Sequence, residues 1–169
     1  MNYTISIDYQ KDFIDGSLYN KDAIDIRKNL ISRLKSDINK KNKIIFTMDT
    51  HDANTYLNTN EGKHLPVIHC VKNTLGWQLD KEMIDSIDTD YQIIEKNSFG
   101  FKDWKLENPL NIYLAGVCTD ICVVSNALIL KALYPEANIY VYSDACAGLT
   151  KEKHDAALET MRSCQIEVI

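Results

Sequence analysis

The segment Ala115-Gly116-Val117-Cys118-Thr119-Asp120-Ile121-Cys122-Val123-Val124 changes character midway. Its first part closes an apolar strand at Gly116, a tight turn follows, Thr119 or Asp120 is placed to cap a helix, and Cys122 falls in that helix's first turn. The same alternation continues on both sides. Downstream, the pattern predicts a helix over 120–133 stopped by Pro135, a strand over 138–143, a helix over 151–162 and a strand over 165–169. Upstream lie strands at 111–115, 91–95, 44–48 and 3–8. Between the first two in chain order, Ala23, Ile24, Arg27, Leu30, Ile31, Leu34 and Ile38 draw one apolar stripe at helical spacing. A modest helix is expected over 79–87. The run 44–48 is apolar on both faces apart from Thr47, which is how a strand covered from both sides reads. Together these elements predict an α/β fold of three layers, a mainly parallel sheet of about six strands with helices on each face. In such sheets ligands sit beyond the carboxyl ends of the strands.

The chain has 169 residues, room for one domain over 1–169 and none for a second catalytic unit. Lys and Arg number 19 against 24 Asp and Glu, a net charge of −5, so the basic face that nucleic acid requires is missing. A polybasic membrane anchor is equally unsupported. The first ten residues lack the apolar core of a signal peptide, and a cytoplasmic protein is expected. Five cysteines, an odd number in a chain large enough to need no disulfides, point to reduced thiols.

Several reactive residue types stand at the strand ends. Asp8 closes the first strand as a general base or as the cap of an Asx-turn. If the chain is still extended past Asp49, alternation puts Asp49 and His51 on one face, an oxygen and a nitrogen ligand side by side. The long polar stretch 50–76, of a length usually reserved for functional loops, supplies Glu61, His64 and His69. His69 lies in a short apolar run where an unpartnered imidazole is costly, which makes it the better third ligand, whereas His64 reads as solvated. Cys70, Cys146 and Cys164 read as structural, and His154 as a packing or surface residue. Lys96 is eligible for a pocket by its place just past a strand, with Ser98 and Phe99 beside it. Cys122 is a nucleophile or a buried structural thiol; a helix N-terminus lowers a thiol pKa and offers N–H groups to an oxyanion. A Cys118–Cys122 redox pair has the wrong spacing for a thioredoxin-type motif.

The segments Ser6-Ile7-Asp8-Tyr9-Gln10-Lys11-Asp12-Phe13, Glu95-Lys96-Asn97-Ser98-Phe99 and Gly116-Val117-Cys118-Thr119-Asp120-Ile121-Cys122-Val123 together resemble the isochorismatase-like cysteine hydrolases. Asp49-Thr50-His51, followed by His69-Cys70-Val71-Lys72-Asn73-Thr74-Leu75-Gly76-Trp77, is similar to the nicotinamidase/pyrazinamidase branch of that superfamily. The resemblance implies a catalytic triad of Asp8, Lys96 and Cys122. It implies an oxyanion hole from the backbone N–H groups of Cys118 and Cys122, beside a cis peptide between Val117 and Cys118. It further implies one divalent metal, zinc first with iron or manganese as alternatives, on Asp49, His51 and His69, completed by Glu61 or His64. The implied substrate is a small amide, and a homo-oligomer is expected. Related nicotinamidases often carry an aromatic residue shortly before the histidine matched by His69, where this chain has Leu65-Pro66-Val67-Ile68. Phe13, Tyr56, Trp77 and Phe99 are the candidates for ring contacts in the substrate pocket. Hydrolysis of another amide or ureido acid is the nearest alternative, then isochorismate hydrolysis, then a binding or thiol-redox protein that keeps the fold.

Overall fold

The computed structural model describes residues 1–169. Strands β1 (Asn2–Ile7), β2 (Lys43–Asp49), β3 (Tyr91–Lys96), β4 (Asn111–Val117), β5 (Asn138–Ala147) and β6 (Glu167–Val168) form one six-stranded sheet in the order β3-β2-β1-β4-β5-β6. Every pairing is parallel. No helix is long and apolar enough to cross a membrane.

Strand alternation divides the core in two. Ile5 and Ile7 of β1, Ile45 of β2, and Ile112 and Leu114 of β4 point to one face. There they meet Ala127 and Leu130 of α6 (Val124–Leu133) and Leu158 and Met161 of α7 (Lys151–Ser163). Ile44, Phe46, Ala115 and Val117 point the other way, onto Leu30 and Leu34 of α3 (Arg27–Asn39). Burying both faces is what makes these strands read as near-continuous apolar runs.

Several boundaries differ from the sequence reading. The expected helix from Ala23 to Ile38 breaks at Ile26 into α2 (Lys21–Asp25) and α3, at the point where Arg27 turns to pair with Asp80 and Glu82. The 50–76 stretch carries a 3₁₀ turn at Tyr56–Asn58 and a short helix, α4 (Asn60–His64), whose N-terminus is capped by the Thr59 hydroxyl. The helix at 79–87 shortens to α5 (Lys81–Asp85), and β5 runs on to Ala147, which puts Cys146 in the sheet opposite Gly116. A further short helix, α1 (Lys11–Ile14), follows β1.

The strand order reverses between β1 and β4, the topological switch point where open α/β sheets form their ligand crevice. Two backbone features sharpen it. Gly116 has φ +117°, and a Cβ there would stand 2.1 Å from the Ile7 carbonyl oxygen, so only glycine lets β4 lie this close to β1. Asp8 sits in the left-handed region at φ +47°, a conformation that costs a non-glycine residue about 1 kcal/mol or more and that clusters at functional sites.

Candidate active site

The turn at Asp8 lifts its carboxylate out of the strand line and buries it fully. Oδ1 accepts a 2.6 Å hydrogen bond from Thr47 Oγ1, and Oδ2 lies 2.6 Å from Lys96 Nζ. Thr47, the polar interruption in an otherwise apolar run, is thus a partner of Asp8. Lys96, 4% exposed, closes the third strand beside it and also donates to the Ser98 carbonyl at 3.0 Å. Its Nζ lies 3.8 Å from Cys122 Sγ. Asp8, Lys96 and Cys122 therefore meet at the crevice although they come from three separate strand ends.

Burial opposes the charge on Lys96, but the carboxylates of Asp8 and Asp49 and the neighbouring Cys122 outweigh it and hold the ammonium above the ordinary lysine value. Burial pushes Asp8 upward, against the pull of Lys96. Cys122 is raised well above a normal thiol, first by burial and then by the Asp8 carboxylate, with Lys96 opposing. The sequence expectation of a thiol lowered by the helix N-terminus is corrected here. Burial of the sulfur and the nearby Asp8 carboxylate both disfavour the thiolate, and Lys96 offsets them only in part. Cys122 itself stands in a π-helical turn, Thr119–Val123, that leads into α6, and the Val117–Cys118 peptide before it is cis.

One turn further along, the buried amide of Asn126 ties this helix to the loop after β3. Its Nδ2 donates to the Cys122 and Phe99 carbonyls at 2.8 and 3.0 Å, and its Oδ1 accepts from the Phe101 N–H at 2.9 Å. Nothing in the sequence reading singled it out, although a fully buried Asn in an apolar helix is a signal.

Beside Lys96 lies a second cluster. One ligand atom from each of Asp49, His51, Glu61 and His69 falls within 4.8 Å of the others. His51 Nε2 is 2.9 Å from Asp49 Oδ2, His69 Nε2 is 3.4 Å from the same oxygen, and both ring nitrogens are 3.7 Å from Glu61 Oε1. His69 Nδ1 lies 2.8 Å from the Val67 carbonyl, which can only accept, so Nδ1 carries a proton and Nε2 faces the carboxylates. Four side chains of ligand type thus converge on one point, and two imidazoles with two carboxylates suit zinc, iron or manganese. The turn that carries His69 is held by Asp12, whose Oδ2 accepts from the Cys70 N–H at 2.7 Å, with Cys70 at φ +46°.

A cavity of about 510 Å³ opens over both clusters. Cys118, Cys122, Asp49, His69 and Glu61 form its floor and Phe13, Leu18, Leu65, Phe99 and Leu149 its apolar wall.

A model of the isochorismatase domain matches residues 3–169. The chain belongs to the isochorismatase family. Within that family, the nicotinamidase of Schizosaccharomyces pombe is 31% identical over 121 residues, 60% of this chain and 52% of that protein, so the chain spans about half the length of this relative. The structure of a pyrazinamidase/nicotinamidase from Streptococcus mutans superposes with a TM-score of 0.87 at 28% identity over the whole of both chains. A pyrazinamidase of Pyrococcus horikoshii in complex with zinc superposes with a TM-score of 0.82 at 27% identity, covering 99% of this chain and 98% of that one.

Three of the candidate residues stand away from the cavity and the ligand cluster's open side. His64, the last residue of α4, is exposed with its Nδ1 2.8 Å from the Asn60 carbonyl, whereas Glu61 at the start of that helix joins the cluster. Tyr56 is buried beneath the cavity, its ring edge-on to His51 and His69 at 4.8 and 5.1 Å and its hydroxyl donating to the Leu65 carbonyl. It packs the two histidines and does not line the pocket. Trp77 turns away to donate from Nε1 to Thr50 Oγ1 at 2.9 Å. Phe13 and Phe99 do face the cavity.

Proposed function

We propose that this chain is a metal-assisted cysteine amidohydrolase that converts nicotinamide, or the related pyrazinamide, and water to the carboxylic acid and ammonia. The observation that carries the reading is the meeting of Asp8 and Lys96 with Cys122, whose side chain lines a cavity that Asp49, Glu61 and His69 also line. The class, hydrolysis of a carboxamide C–N bond, is the one named by the relatives.

In the reaction, Asp8 takes the proton of the Cys122 thiol as the sulfur adds to the carboxamide carbon, so the thiolate forms only with attack and the raised thiol pKa is no obstacle. Lys96, 3.8 Å from the sulfur, offsets the developing negative charge. The backbone N–H groups of Cys118 and Cys122 donate to the carbonyl oxygen as it gains negative charge, a contact typically contributing about 3 kcal/mol. The C–N bond breaks, the proton held by Asp8 passes to the nitrogen, and ammonia leaves a Cys122 thioester. Asp8 then takes a proton from water as the oxygen adds to the thioester, and returns it to the departing sulfur. Asp49, His51, Glu61 and His69 would hold a divalent cation, zinc by preference, which would supply a Lewis acid beside the substrate. If nicotinamide is the preferred substrate, the product is nicotinate and the reaction is a step of NAD salvage.

Ammonia release from nicotinamide, pyrazinamide, aliphatic amides and ureido acids, on protein whose metal content has been measured, tests this directly. The pyridine and pyrazine amides should be turned over at least tenfold better than the others. Preference for an aliphatic amide or a ureido acid would move the function to the neighbouring reading, and no turnover of any amide would remove it.

A further inference from the structure

The turn that aims Asp8 at Lys96 leaves a gap in the sheet. The ladder between β1 and β2 runs from Tyr3↔Lys43 to Ser6↔Phe46, and Asp8 then leaves the strand line at φ +47°. On its other side Asp49 remains in register with Lys96 of β3, and the Thr50 N–H donates to the Lys96 carbonyl at 2.8 Å. On the β1 side, the N–H and C=O of Asp49, a residue only 3% exposed, have no strand beside them. Buried peptide groups left in that condition are costly, and folded proteins pair nearly all of them.

The side chain of Gln10 occupies the gap. Its Oε1 accepts from the Asp49 N–H at 2.7 Å, and its Nε2 donates to the Asp49 carbonyl at 2.9 Å and to the Trp77 carbonyl at 2.8 Å. Gln10 is fully buried. A primary amide presents a donor and an acceptor side by side, as a strand residue does, and a glutamine is long enough to reach across from a chain that has already turned away. Trp77 thereby has a place in the account through its carbonyl, although its ring is outside the cavity.

We propose that Gln10 is a positioning residue that substitutes for the missing strand residue and sets the backbone of Asp49. The Asp49 carboxylate is thereby presented to His51 and His69 on one side and to Lys96, 3.6 Å from Oδ1, on the other. The inference rests on the reading of Asp49, His51, Glu61 and His69 as a metal site.

The test is the Zn²⁺ affinity of metal-stripped protein, measured by competition with a chromophoric chelator, alongside the melting temperature of the apoprotein. Gln10→Glu keeps the size and the acceptor but sets an oxygen against the carbonyls of Asp49 and Trp77; Gln10→Met keeps the bulk and removes all three bonds. Each should weaken Zn²⁺ binding about 10- to 100-fold. A folded variant that binds Zn²⁺ within twofold of the parent, with only its melting temperature lowered, would overturn the positioning role. Failure of the parent to bind Zn²⁺ or Mn²⁺ would instead remove the metal reading beneath it. If neither variant folds, residue-resolved hydrogen exchange on the parent decides. Protection of the Asp49 amide equal to that of Ile45 in the middle of β2 supports the clamp, and exchange as fast as an exposed loop amide contradicts it.

Discussion

Cys122→Ala loses at least about 10⁴-fold in kcat/KM for ammonia release, the scale seen when a covalent nucleophile is removed from a site whose members act as a unit. The protein should remain folded, because exchanging a thiol for a hydrogen deletes one buried atom and costs about 1 kcal/mol. Zn²⁺ content should be unchanged, since the four candidate ligands do not include the sulfur. Cys118 lies on the same cavity floor, but the Lys96 ammonium stands against the Cys122 sulfur, at 3.8 Å. Retained turnover in a variant of unchanged metal content would end the assignment of the nucleophile.

Lys96→Met combines a loss of activity with a loss of stability. Removing the ammonium leaves Asp8 fully buried without its cationic partner 2.6 Å away, and breaking a buried pair in this way costs roughly 3–5 kcal/mol at neutral pH. Activity should fall about 10³-fold, the upper end of what a single stabilising group contributes. The pH dependence has a definite sign. Asp8 is already raised above 3.8 in the folded protein, and it rises further without Lys96. A carboxyl whose folded pKa is raised loses the protein stability as pH climbs from its unfolded value through its folded one. The gap in stability between parent and variant should therefore be small near pH 4 and widen toward neutrality. Above pH 10.5 it should narrow again, as the stabilisation from a lysine raised in the fold is lost on deprotonation. Urea denaturation of metal-stripped parent and variant across this range reads it; a gap independent of pH would contradict the pairing.

The chemistry of the site was legible because a parallel sheet brings its carboxyl ends together. Asp8, Asp49, Lys96 and Cys122 each follow a strand that periodicity reveals, so a topology read from alternation already places them near one another. Ligand choice within the 50–76 stretch was not legible. Glu61 and His64 share one turn of α4, and which of them faces inward depends on the helix direction set by the Thr59 cap and by the close packing of Gly62 on the Tyr56 backbone. Tyr56 and Trp77 are aromatic side chains in a functional loop, and composition cannot tell a ring that stacks on ligand from one that packs behind histidines. Gln10 escaped notice because its value is as a surrogate backbone, and that need appears only once Asp8 has bent the chain out of the ladder. The direction of the Cys122 shift is illegible for a related reason: the helix terminus is visible in the pattern, while burial of the sulfur and the approach of Asp8 are properties of the assembled core.

A thioester on Cys122 separates covalent from direct hydrolysis, and rapid acid quench of a single turnover with enzyme in excess over nicotinamide detects it. Digestion and mass spectrometry should find a pyridinecarbonyl group on the peptide that contains Cys122, rising and then decaying as nicotinate appears. Conversion of the amide to the acid while that peptide stays unmodified at every time point would contradict the account.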